Sequence, residues 1–189
     1  TIAKDFDIGL ERVMRVRGDG KALAVSTAPG PRDGARTTFQ VFDETHRMIL
    51  PRLRKAHQTM LANMPKRRAS DAWSLETTTA YAPGEQSIAE STMHYAEAVA
   101  EGRVRDSRLF FFHRQAGEHD LSTPEGIRAA VVEASGPTAP WSDVESIVAQ
   151  WNDPDADRAF LERVWLNRIV KASDRAFDVE RFRALGVPG

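Results

Sequence analysis

The apolar pattern of residues 37–101 switches repeatedly between the period of a strand and the period of a helix, and this alternation constrains the fold more than any other feature of the chain. Thr37-Thr38-Phe39-Gln40-Val41-Phe42 is β-branched and aromatic, as a strand requires. Residues 51–64 then place Leu53, His57, Met60, Leu61 and Met64 on one helical stripe, with Pro51 in the first turn, where its missing N–H is not needed. Trp73-Ser74-Leu75-Glu76-Thr77-Thr78-Thr79 reads as a second strand. In residues 87–101, Ser87 followed three positions later by Glu90 is a capping box, and Ile88, Thr92, Tyr95, Ala96 and Val99 form the apolar stripe. Strands separated by helices predict an α/β sheet.

Two more strands are expected. Residues 22–26 are short and apolar and stop at Pro29-Gly30-Pro31. In residues 108–113, Phe110, Phe111 and Phe112 are adjacent, which suggests burial on both faces of a parallel sheet. Beyond about residue 120 the chain reads as helical. Thr123-Pro124-Glu125-Gly126 caps a helix through Ala134 that Gly136-Pro137 ends. Helices over 143–151 and 155–170 follow, the latter with Phe160, Val164, Leu166 or Trp165, and Ile169 turned inward. Trp141, Trp151 and Trp165 fall in these stretches and are expected in the core. The expected organisation is an α/β part over 1–120 and a helical subdomain over 121–189.

Composition excludes several classes. At 189 residues with 41% hydrophobic side chains, the chain can bury a core, so global disorder is excluded. No apolar run reaches the 18 or so residues that a membrane span needs, so no membrane partner is expected. Thr1-Ile2-Ala3-Lys4-Asp5-Phe6-Asp7 has none of the layout of a signal peptide, and a chain opening this way reads as a piece of a longer protein. The 26 basic and 27 acidic residues give a net charge of −1, against a globally basic nucleic-acid binder. Charge is nonetheless segregated: Arg47, Arg52, Arg54, Lys55, Lys66, Arg67 and Arg68 precede a stretch, 71–101, with six acids and no Lys or Arg. The basic cluster can touch DNA phosphates, although a solvated helix face with a basic loop accounts for it more simply. The absence of Cys removes disulfides, thiolate metal sites and thiol nucleophiles and is compatible with a reducing cytosol.

The chemistry concentrates where the first strand ends. After Phe39-Gln40-Val41-Phe42 come Asp43 and Glu44, and ligands of open α/β sheets bind at the carboxyl ends of strands. A carboxylate there can hold Mg²⁺ beside a nucleotide's phosphates, and the next can orient and deprotonate an attacking water. A strand ending in a solvated acidic turn has the same local pattern. Thr77, Thr78 and Thr79 close the second strand before Pro83-Gly84, where hydroxyls can sense a γ-phosphate or its water. Thr is also simply a strong β-former. The chain contains no G-x-x-x-x-G-K-[ST] phosphate cradle; Gly30-Pro31-Arg32-Asp33-Gly34-Ala35-Arg36-Thr37 has the wrong glycine spacing and no Lys, and reads as a turn. The five His (His46, His57, His94, His113, His119) show no metal-ligand spacing; His46 is suited either to orienting an acidic neighbour or to a surface position.

Three segments carry a family resemblance. Val41-Phe42-Asp43-Glu44-Thr45-His46-Arg47-Met48, then Trp73-Ser74-Leu75-Glu76-Thr77-Thr78-Thr79-Ala80-Tyr81-Ala82-Pro83-Gly84-Glu85-Gln86-Ser87-Ile88-Ala89-Glu90, then Leu109-Phe110-Phe111-Phe112-His113-Arg114, resemble the large subunit of tailed-bacteriophage terminases. Phe160-Leu161-Glu162-Arg163 and Leu166-Asn167-Arg168 look like the stretch that precedes that family's nuclease domain. The resemblance covers about residues 20–170. It implies the latter part of a P-loop NTPase-like, mostly parallel sheet flanked by helices, leading through a helical segment toward an RNase H-like nuclease domain. It further implies an ATP-driven motor that packages double-stranded DNA into a capsid in the host cytoplasm. Its partners would be a small subunit, a portal protein and further copies of itself. By the same resemblance Asp43 holds Mg²⁺, Glu44 is the catalytic carboxylate, and Thr77, Thr78 and Thr79 couple ATP hydrolysis to movement. The family's phosphate-binding loop would then precede Thr1 and its nuclease acids would follow residue 189, leaving the isolated piece inactive. A superfamily 2 helicase fragment and a non-catalytic prophage remnant are the competing readings.

Overall fold

The computed structural model describes residues 4–25, 37–105 and 107–171. The chain divides into two compact units, Thr1–Thr38 with Pro51–Trp73, and Phe39–Leu50 with Ser74–Gly189.

In the first unit, β1 (Phe6–Ile8), β2 (Arg12–Arg15) and β3 (Lys21–Leu23) form an antiparallel sheet in that order. Phe6 lies opposite Arg15, Ile8 opposite Val13, and Arg12 opposite Leu23. Sequence pattern pointed only to the third strand. The first two are three and four residues long, too short for a period of two to emerge. The turn at Pro29-Gly30-Pro31 and the Gly30–Gly34 segment lie outside the described residues. Helix α1 (Pro51–Asn63) buries Ala56, His57 and Asn63 and runs on into a 3₁₀ segment, Met64–Ser70.

In the second unit, β4 (Phe39–Asp43) pairs with β5 (Trp73–Thr77) as a two-stranded parallel sheet. The alternation along β4 is visible in its burial: Gln40 and Phe42 point inward, Phe39 and Val41 outward. Helix α2 (Ile88–Ala100) starts where the capping signal places it, with Ser87 Oγ accepting from the Glu90 N–H at 3.1 Å. Then come α3 (Pro124–Ser135), α4 (Val144–Ala149) and α5 (Arg158–Trp165), with a 3₁₀ segment after each of the first two. Their shared core contains Ile127, Val131, Ile147, Trp151, Leu161 and Leu166. It is closed by the strap 114–117: the Ala116 N–H donates to the Leu166 carbonyl at 3.0 Å, Asn167 Nδ2 to the Arg114 carbonyl at 2.6 Å, and Arg168 to the Ala116 and Gly117 carbonyls.

Four expectations need correction. Residues 108–113 form no strand; Phe110 is 89% and Phe112 68% exposed. Three consecutive Phe are buried on both faces only between two neighbouring strands, and among the described residues none pairs with this segment. Phe111 instead stacks on His113 and Phe112 lies beneath the Arg114 guanidinium. Secondly, among the described residues the strand content is not mostly parallel, since three of the five described strands form the antiparallel sheet. Thirdly, α5 stops at Trp165 because Asn167 takes a left-handed conformation, φ 51°, and turns toward the strap; its inward residues are Ala159 and Leu161, while Phe160 is exposed. Lastly, Trp151 is core and Trp165 half-buried, but Trp141 is 86% exposed.

The start of α3 depends on a glycine. A Cβ at Gly126 would stand 2.0 Å from the Asp120 carbonyl oxygen and 3.1 Å from Thr123 Oγ1, the oxygen that caps the helix by accepting from the Gly126 N–H. The obstruction is backbone and cannot rotate away. Gly126→Ala is expected to destabilise the second unit by about 1–3 kcal/mol, read as a lower denaturant midpoint with an unchanged slope.

Candidate active site

Asp43 is the last residue of β4, and Glu44 leaves the strand in the left-handed region at φ 55°, ψ 45°. For a non-glycine residue this costs on the order of 1–3 kcal/mol, so the surroundings must hold it. The 3₁₀ turn Thr45–Arg47 does so: the Arg47 N–H donates to the Glu44 carbonyl at 2.8 Å and the Met48 N–H to the Thr45 carbonyl at 3.1 Å. Thr45 is fully buried and pins the turn, and α2 packs against it. The Thr45 hydroxyl has no hydrogen-bond partner among the described residues.

The end of β5 meets this turn through hydroxyls. Thr77 Oγ1 donates to Asp43 Oδ1 at 2.7 Å, and the Glu44 N–H donates to the same oxygen at 3.0 Å. Thr78 Oγ1 accepts from the His46 N–H at 3.0 Å and lies 2.9 Å from His46 Nδ1. Its own proton goes to the Thr79 carbonyl at 2.9 Å. The hydroxyl has only one proton to give, so the network assigns a proton to His46 Nδ1 and leaves Nε2 as an acceptor. Arg47 Nε stands 3.4 Å from that Nε2 and 3.3 Å from Glu44 Oε2; Glu44 Oε2 is 3.7 Å from Nε2. Thr79 Oγ1 lies 3.5 Å from His46 Nδ1. The five residues singled out in the sequence therefore fall in one network, but unequally. Thr77 reaches Asp43 directly, Thr78 and Thr79 reach His46, and the Glu44 carboxylate faces Arg47 and His46 rather than a threonine.

Burial pushes the His46 imidazole below its ordinary value, and the Arg47 and Arg163 charges act in the same sense; Glu44 and Glu85 oppose them.

The loop after β5 is held at its far end. Glu90, itself buried, accepts the Gly84 N–H on Oε1 and the Gln86 N–H on Oε2, both at 2.7 Å. Gly84 and Gln86 both have positive φ, 94° and 57°, so the loop turns sharply between these anchors. Thr92 on α2 donates to Glu76 Oε2 at 2.8 Å and links helix and strand. The capping box was legible in sequence; the grip of Glu90 on Gly84 was not, because Glu at the third helical position ordinarily turns back to the N-cap N–H.

Among the described residues no group of three or more His, Asp or Glu could hold a metal ion. Asp43 nevertheless fits Mg²⁺. Its Oδ1 is used by Thr77 and Glu44, its Oδ2 meets no partner among the described residues, and Mg²⁺ keeps most of its waters and needs only one or two carboxylates. On α1, Arg52 and Lys55 are exposed, while Lys66 donates to Asn63 Oδ1 at 2.8 Å. No described helix is long and apolar enough to cross a membrane.

No protein-family model, curated protein or solved structure matches the chain.

The His46 environment has a measurable consequence. The folded chain favours the neutral ring, so between the folded and unfolded pKa values the unfolded chain binds more protons. The resulting stability is fully present above about pH 6.5 and is lost as pH falls through the folded-state value. NMR titration is expected to place the His46 midpoint below 6.5. Glu44→Gln, by removing a charge that raises it, is expected to move the midpoint lower still; a midpoint above 6.5 would contradict the burial.

Proposed function

We propose that this chain is the latter part of the ATPase core of a DNA-packaging motor, a terminase large subunit, in which ATP is hydrolysed with Mg²⁺ and double-stranded DNA is moved. The observation that carries the reading is the junction of two strand ends: Asp43 and Glu44 after β4, tied to the hydroxyls of Thr77 and Thr78 at the end of β5. Carboxylates on one strand end and hydroxyls on the next are what a site needs to hold a phosphate's metal, activate water and respond to the state of the phosphate.

Asp43, with Oδ2 open, would hold Mg²⁺, which when bound neutralises charge on the phosphate oxygens. Glu44 would orient the attacking water and take its proton. Thr77 keeps Asp43 oriented, as a ligating carboxylate requires. Thr78 and Thr79 would pass a change at the phosphate to the loop that Glu90 anchors. A small subunit, a portal protein and further copies of the motor are the partners that go with this function, and the bacterial cytoplasm is its place. The phosphate cradle is absent from residues 1–189 and would be supplied by another part of the intact protein.

Two measurements test this. In the intact protein, steady-state assays should show Mg²⁺-dependent ATP hydrolysis that Glu44→Gln lowers by roughly 10²–10⁴-fold with ATP binding retained; a near-normal rate in the variant removes Glu44 from the role. Calorimetry on the 189-residue chain alone should show ATP binding weaker than about millimolar, because no Lys and glycine-rich backbone cradle the phosphates. Micromolar affinity would require a phosphate site built from these residues themselves.

A further inference from the structure

We infer that His46 is the positioning residue that connects the Thr78 hydroxyl, by way of the Arg47 guanidinium, to the Glu44 carboxylate, so that the threonine run acts on the catalytic acid through an imidazole and an arginine rather than by touching it. The inference rests on the proposed hydrolytic role of Glu44 and deepens it.

Three observations lead to it. First, the hydroxyl of Thr78 is fully used. It accepts from the His46 N–H and the His46 ring and donates to the Thr79 carbonyl, so both its lone pairs and its proton are engaged. A backbone N–H alone would secure a turn; the ring bond to the same oxygen adds an orientation of the imidazole. Secondly, that orientation presents the unprotonated Nε2 to Arg47 Nε, which donates to it at 3.4 Å and stands 3.3 Å from Glu44 Oε2, whereas Nε2 and Glu44 Oε2, 3.7 Å apart, are both acceptors and form no bond. Thirdly, the direct route is missing. Thr77 reaches Asp43 Oδ1 and through it only the Glu44 backbone N–H, and among the described residues no threonine hydroxyl of the run bonds the Glu44 side chain.

The turn makes the link mechanical. Glu44 and His46 flank Thr45, which is fully buried and cannot shift freely. When Thr78 changes its hydrogen bonds, His46 loses an acceptor for both its backbone and its ring. The ring then no longer holds Nε2 toward Arg47 Nε, and the exposed guanidinium beside the Glu44 carboxylate loses its second partner. A misplaced general base costs rate rather than substrate affinity.

The test uses the intact protein for kinetics and the 189-residue chain for spectroscopy. Steady-state ATPase assays on His46→Ala are expected to show kcat lowered about tenfold or more, with KM for ATP within about twofold of wild type. His46→Asn, whose amide N–H can stand in for Nδ1–H, should recover part of the loss and serves if His46→Ala does not fold. Thr78→Val should lower kcat by a similar factor, and the double variant should be no slower than either single one, as coupled residues require. Nitrogen-15 NMR of the imidazole should report the Nδ1–H tautomer in the wild-type chain and its loss or mixing in Thr78→Val. An Nε2–H tautomer in the wild type, additive effects in the double variant, or a wild-type kcat in His46→Ala each overturns the inference. If Glu44→Gln abolishes turnover while His46→Ala does not slow it, the inference alone fails. If the intact protein shows no Mg²⁺-dependent ATPase, the functional reading falls and takes the inference with it.

Discussion

Two hydrogen bonds between strand ends, Thr77 to Asp43 and His46 to Thr78, organise the candidate site. A parallel pair of strands needs its carboxyl ends aligned, and here that alignment is made by side chains that also carry the chemistry. The carboxylate of Asp43 ends one strand and the hydroxyl of Thr77 ends the other, so a contact between the two strand ends also orients a candidate metal ligand. Glu44 then accepts a left-handed backbone, which the buried Thr45 and the 3₁₀ turn hold in place.

The same turn is braced from the other side by α2. Its N-terminus gathers several duties in few residues: Ser87 caps the helix, Glu90 holds the preceding loop by two backbone N–H groups, and Thr92 reaches back to Glu76 on β5. A buried carboxylate is costly unless it is hydrogen-bonded, and Glu90 meets that requirement with the backbone of Gly84 and Gln86. The helical part of the unit uses a different device. There the core of α3, α4 and α5 is sealed by the strap 114–117, whose carbonyls are taken by Asn167 and Arg168.

Helices with their own start signals were legible in the sequence. Ser87, Thr123 and Asp143 each precede a helix, and Ser87 and Thr123 cap through the hydroxyl that the pattern indicates. Strands were legible where five or more residues carried a β-branched or aromatic run, as in β4 and β5, and not in strands of three or four residues, as in β1 and β2. The Phe110–Phe112 run failed for the opposite reason: its composition is that of a buried strand, but burial is a property of neighbours, and none pairs with it among the described residues. Trp141 and Phe160 failed likewise, since an apolar side chain does not state which face of the fold it will occupy.

Sequence alone determined the chemical inventory of the site, namely an acid pair closing one strand and a hydroxyl run closing the next, because residue type and period are local properties. Tertiary structure alone decided how that inventory is wired. It gave Asp43 to Thr77, gave Thr78 to His46, and turned the Glu44 carboxylate toward Arg47. The first two of those contacts join residues more than thirty positions apart, and which hydroxyl meets which acid depends on the register of β4 against β5. A shift of one residue would exchange the faces of a strand, and no local pattern encodes that choice.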